Sequence, residues 1–166
     1  ATTNAATAVT GSGATLNGQA TANGAPATLS FSYSTNSNMS GATVVSASPA
    51  SIGSTATSLA SAGVSGLLPG TTYYFRITVG NGVSAPVDGT TLSFTTNGVA
   101  PTATTGNASQ ITGVTAVLDG AVNAGGASTT ATFVYRTSPT LAGPTQPVTA
   151  DQSPVSGSGG TPVSNQ

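Results

Sequence analysis

The side chains in this chain that could do chemistry are two arginines and three aspartates: Arg76, Arg136, Asp88, Asp119 and Asp151. His, Cys, Lys and Glu are absent from all 166 residues. Those missing types are the usual general bases and activated nucleophiles, and abundant Ser and Thr hydroxyls are poor nucleophiles without a base to activate them. A paired-carboxylate mechanism would need two of the three aspartates to converge. Asp88 precedes Gly89 in a turn-forming dipeptide, and Asp119 stands in a Leu-Asp-Gly motif that matches Leu16-Asn17-Gly18, so both read as structural residues. The chain is therefore expected not to be an enzyme. Transition metals would find no imidazole or thiolate and calcium only scattered carboxylates, so no metal and no cofactor is expected.

The same inventory bounds the partners. Charged residues make up 3% of the chain and the net charge is −1, where about 25% charged is usual. Two cations give no electrostatic footing for nucleic acid or anionic lipid. No apolar run approaches the roughly 20 residues of a membrane span, so no membrane insertion is expected. A neutral Thr, Ser and Asn surface has little colloidal repulsion and offers trypsin-like proteases only Arg76 and Arg136. Such a surface suits an extracellular or cell-surface protein packed against copies of itself. Asn38-Met39-Ser40 and Asn107-Ala108-Ser109 fit glycosylation sequons, which makes Asn38 and Asn107 candidate glycan sites. A start at Ala1 suits either a processed chain or a piece of a longer one.

Strands must position whatever the chain presents, because apolar residues recur with period two and helical periodicity is absent. Ala14, Leu16, Gly18 and Ala20 share one face of an early strand, and Asn23-Gly24 suits a tight reversal. Leu29, Phe31 and Tyr33 point inward on the next strand. Further strands are predicted near 42–46, 58–64 and 91–95, the last with Leu92 and Phe94 inward. The strongest signal lies between them. Pro69 and Gly70 form a corner, and behind it Tyr73, Phe75, Ile77 and Val79 line one face while Tyr74, Arg76 and Thr78 line the other.

The residues Leu67, Pro69, Gly70, Thr71, Tyr73 and Arg76 resemble the L-x-P-G-T-x-Y-x-x-R signature of fibronectin type III domains. In that family the run opens strand F, and its tyrosine forms the corner found in immunoglobulin-like sandwiches. The resemblance implies an all-β, fibronectin type III/Ig-like β-sandwich, with Leu67, Pro69, Gly70, Thr71 and Tyr73 in structural roles. The chain has no Trp, whereas many members carry one on strand B. The likeness is thus to bacterial-type tandem repeats of secreted or surface proteins. No Arg-Gly-Asp loop is present, so integrin recognition is not implied.

The chain also repeats itself. Leu16-Asn17-Gly18 matches Leu118-Asp119-Gly120, and Phe31-x-Tyr33 matches Phe133-x-Tyr135, at a constant offset over about 35 positions. One complete copy is expected over 1–96, a linker over 97–102 and an incomplete second copy over 103–166, without a second Pro-Gly-Thr-Thr-Tyr corner. Carrying the offset forward places the counterpart of Val64 at Gln166. A lone sheet bearing Val117, Leu118, Val122, Phe133 and Tyr135 would leave its apolar face uncovered, which makes those residues a candidate intersubunit face. Three explanations stay open: an excerpt of a longer array, completion by a neighbouring molecule through strand addition, or a loose tail over 153–166. The leading functional expectation is a non-enzymatic structural module of a fibre or stalk, polymerising head-to-tail by strand complementation. The alternatives are an adhesin or carbohydrate-binding accessory module, for which only Tyr74 offers an aromatic platform, and a phage or virion surface decoration domain.

Overall fold

The computed structural model describes residues 1–136 and 146–166. Every regular element among them is a β-strand, and all pairings are antiparallel. The chain divides into two compact units, Ala1–Asn97 and Gly98–Gln166. The linker expected over 97–102 is correspondingly short. Asn97 belongs to the first unit, where its N–H donates to Thr10 O at 3.0 Å, and the Val99 N–H already donates to Gly125 O within the second.

Eight strands build the first unit: β1 (Thr2–Thr7), β2 (Gly13–Thr21), β3 (Ala27–Ser34), β4 (Thr43–Ile52), β5 (Thr57–Ser65), β6 (Thr72–Gly80), β7 (Val87–Asp88) and β8 (Leu92–Thr95). They pair in the order β1-β2-β5-β4-β3-β6-β7, with β8 also on β6. One bridge, Ser48 to Ser61, joins the β1-β2-β5 group to the rest. The Ile77 N–H of β6 donates to Thr3 Oγ1 of β1 at 3.3 Å, so the sheet curls until its two ends nearly meet. This almost closed, barrel-like course is looser evidence than two separate facing sheets would be. It holds one core in which Leu16, Phe31, Phe75 and Ile77 have no exposed surface.

The period-two pattern explains why these strands face as they do. On β2 the alternate residues Ala14, Leu16, Gly18 and Ala20 are all buried, and on β6 Tyr73, Phe75 and Ile77 are. Gly18 is closely covered: a Cβ there would stand 3.0 Å from Thr2 O and 3.0 Å from the Ile77 Cδ1, so both would have to give way. Gly24 sits in the expected reversal with a φ of 98°, and Gly82 turns the chain after β6 with a φ of 70°, a region costly for side-chain-bearing residues. The strand β7 was not expected from the sequence, because two residues carry no periodicity.

Five strands build the second unit: β9 (Thr102–Thr105), β10 (Leu118–Asn123), β11 (Thr132–Tyr135), β12 (Gln146–Thr149) and β13 (Gly160–Asn165). They form a three-stranded sheet, β13-β10-β9, and a two-stranded sheet, β11-β12. The expectation of a lone uncovered sheet is corrected here, since the unit has two sheets and its own small core of Val122, Ala124, Ala131, Ala150, Val155 and Val163. A loose tail over 153–166 is overturned as well: residues 160–165 are a strand paired along the full length of β10.

The registers of the second unit reproduce those of the first. Gly18 pairs with Thr3 and Gly120 with Thr105, and the irregular step that sets Thr7 against Thr15 recurs as Ser109 against Val117. Phe31 faces Val45 on β4, and Phe133 faces Val148 on β12. Leu16 faces Ala62, and Leu118 faces Asn165. The later strands are thus displaced by one further residue, so Asn165 stands in the place of Ala62 and Gln166 falls one position short of the expected match to Val64. The extra residue falls in the connection between β11 and β12. The second unit therefore carries equivalents of β1 to β5.

Candidate functional site

Two places in the molecule concentrate the residues singled out in the sequence. The first is the corner ahead of β6, and its chemistry is structural. Leu67 is buried and its N–H donates to Ser12 O at 3.0 Å. Gly70 turns the chain with a φ of 57°. The Tyr73 hydroxyl accepts the Leu68 N–H at 3.0 Å, so a buried ring ends in a satisfied polar group. Tyr73 stacks on Phe94 at 5.8 Å between centroids, and Phe75 meets Phe94 edge-on at 5.7 Å.

Sequence reasoning missed the residue that closes this corner. Thr96 is 2% exposed; its Oγ1 donates to Leu68 O at 2.6 Å and accepts the Thr71 N–H at 2.9 Å. One hydroxyl thereby satisfies a donor and an acceptor that are both only partly open to water. A Thr just past the last strand carries no signal of its own, because its partners lie about 25 residues upstream.

The charged residues do not gather into a reactive centre. Arg76 and Asp88 form an ion pair at 2.9 Å on the outer face of β6 and β7, where Thr78 Oγ1 also donates to Asp88 Oδ1 at 2.6 Å. Asp88 is thus part of a strand pair rather than a simple turn. Asp119 accepts the Ser109 hydroxyl at 2.7 Å. Among the described residues no group of three potential metal ligands converges. Asn38 and Asn107 are both exposed, and Asn38 Oδ1 accepts the Ser40 N–H at 3.0 Å inside its own sequon. Tyr74 is half-buried on β6, opposite Ser34 and Ser93, and builds no aromatic platform with a second ring.

The second place is the outer edge of β11. In the first unit β3 is paired on both sides, with β4 and with β6. Its counterpart β11 is paired with β12 alone among the described residues. Beside that edge lie two clefts. One, of about 330 Å³, is lined by Thr104 and Thr105 of β9, Gly120 and Val122 of β10, and Ala131 and Phe133. The other, of about 580 Å³, is lined by Ile111, Val114, Leu118, Tyr135 and Val148.

The five residues expected to form an intersubunit face divide across this site. Val117 and Val122 are buried within the unit, Val122 reaching only the floor of the first cleft. Leu118 and Phe133 are partly buried and line the clefts, and Tyr135 is half-exposed at the edge. Ile111 and Val114, which the sequence reading passed over, are 70% and 94% exposed beside them. Their signal was faint, since isolated apolar residues in a Thr- and Gly-rich turn resemble ordinary loop composition.

No family model matches the chain, and no curated protein matches it. Among the described residues no helix is long and apolar enough to cross a membrane.

Proposed function

We propose that the chain is a non-enzymatic structural module of an extracellular or cell-surface fibre or stalk, built from fibronectin type III-like sandwich units. In this reading the second unit is closed by strand addition from a neighbouring chain. The observation that carries it is the contrast at one edge: β3 is paired on both sides, and its register-matched counterpart β11 on one. An open strand edge flanked by apolar clefts is a template for pairing, and natural β-proteins leave such edges where another strand is to be added. The sandwich assignment is supported by the Tyr73 hydroxyl bonding back to Leu68 N–H ahead of a strand, the arrangement that defines a tyrosine corner. The structural role is supported by a surface almost without charge, which disfavours dispersal in solution and permits close packing of copies.

Electron microscopy of the native assembled material tests the reading. A filament with an axial repeat, in which each second unit contains strands contributed by the next chain, is the expected result. Isolated particles at every concentration would sink it.

A further inference from the structure

We infer that the trough along the free edge of β11 binds one kind of occupant: an extended segment of a neighbouring chain, antiparallel to β11, with the alternating aromatic and aliphatic pattern of Phe75-x-Ile77-x-Val79. The juxtaposition that carries this is internal to the molecule. In the first unit β6 lies on β3 with Val79 opposite Leu29, Ile77 opposite Phe31 and Phe75 opposite Tyr33. The second unit repeats the other ladders of the first in register, so the same geometry offers Ala131, Phe133 and Tyr135 to an incoming strand.

The walls of the trough match that occupant. Gly18 is bare where Ile77 packs against it, and Gly120 is equally bare in the second unit. A Cβ on Gly120 would stand 3.4 Å from the Phe133 ring, which lies next to the cleft that an Ile-sized side chain would enter. In the first unit Thr3 Oγ1 accepts the Ile77 N–H, and its equivalent Thr105 lines the cleft, fully accessible to a donor from an added strand. Further along, Leu118 and Tyr135 border the second cleft. Their equivalents Leu16 and Tyr33 belong to the first unit's core, where Tyr33 meets Tyr73 at 6.2 Å between centroids. The occupant therefore needs apolar side chains at three alternate positions, and polar ones between them.

The chain's own β6 is not free to fill this role. It is paired on both edges within the first unit, and Phe75 and Ile77 have no exposed surface there. Extracting it would undo the core it completes, with no net gain in burial. The strand must come from a segment that is not already part of a closed unit. This inference rests on the fibre reading only for the source of the strand; the chemistry of the trough stands without it.

A labelled synthetic peptide of residues 71–81, added to the full chain, is the test. Saturable binding by fluorescence anisotropy is expected, together with slowed amide exchange over residues 132–135 and unchanged exchange over β3. A peptide carrying Ile77→Asp is expected to bind about tenfold or more weakly, the effect of losing one buried large aliphatic side chain. Placing the substitution in the peptide keeps the chain's folding out of the result. Equal binding of both peptides, or protection anywhere other than β11, would overturn the inference. The source is read from native material assembled from mixed light and heavy isotopes, by photo-cross-linking from a photoreactive phenylalanine analogue placed at position 135. Links between light and heavy chains are expected, and links confined to single chains would refute a neighbour as donor. Peptide binding without filaments would retire the fibre reading alone; filaments with an untouched β11 edge would retire the trough alone.

Discussion

Phe31 and Phe133 stand at the same register position in two units, yet Phe31 has no exposed surface and Phe133 is only partly covered. Leu16 and Leu118 differ in the same way. The ladders shared by the two units keep the same partners apart from the one-residue displacement after β11, so the difference lies in the strands that only the first unit's pair meets. What differs is β6 and β8, which bring Phe75, Ile77 and Phe94 over the first pair. The comparison teaches that in this fold the first five strands set the frame, and the sixth and eighth bring the large side chains that finish covering it. A frame can form its registers without it and keep only a core of Val and Ala.

The sharpest way to break the comparison is to truncate both phenylalanines. Phe31→Ala is expected to cost about 3–5 kcal/mol, as for a large side chain removed from a packed core. Phe133→Ala should cost less, about 1.5–3 kcal/mol, because its ring is only partly buried against the second core. Denaturant titration of the full chain, with unit-resolved amide exchange, measures both; equal costs would mean that the second unit is covered in solution.

The corner sharpens the same contrast, because only the first unit has one. Thr96→Val removes a bond donated to Leu68 O and one accepted from Thr71 N–H, and Tyr73→Phe removes the acceptor for Leu68 N–H. Each should destabilise the first unit by about 1–3 kcal/mol, with no change in amide exchange over β10 and β13. Loss of protection in both units together would contradict their separate cores.

The smallest expected effect is at the ion pair. Arg76 and Asp88 each keep about a third of their side chain in water, so Asp88→Asn should cost about 0.2–1 kcal/mol and less at high salt. Thermal melts at two salt concentrations decide it. A larger loss would show that the pair, and not the apolar face of β6, holds the short β7 in place.

Much of this was legible along the chain because it is local. Alternation placed Leu16, Phe31, Phe75 and Ile77 inward, and Pro69-Gly70 marked the corner. The matching Leu-x-Gly and Phe-x-Tyr motifs marked a second unit built on the pattern of the first. These signals depend on period-two geometry and turn chemistry, which neighbouring residues determine among themselves. They were also misleading where they said nothing of partners. Val117 and Val122 read as a surface face and are buried, while residues 153–166, for which a loose tail was one of three open readings, supply β13.

By itself the sequence determined the element type, the inward faces, the corner, and a near absence of chemically reactive side chains. The tertiary structure alone decided which strands meet, and so that Thr96 closes the corner, that Asp88 pairs with Arg76, and that one residue is added between β11 and β12. It alone showed that, among the described residues, β11 is paired on one edge only. The physical reason is range: a strand's pattern says which face is apolar, but the partner that covers that face comes from a distant part of the chain, or from another molecule, and no local pattern names it.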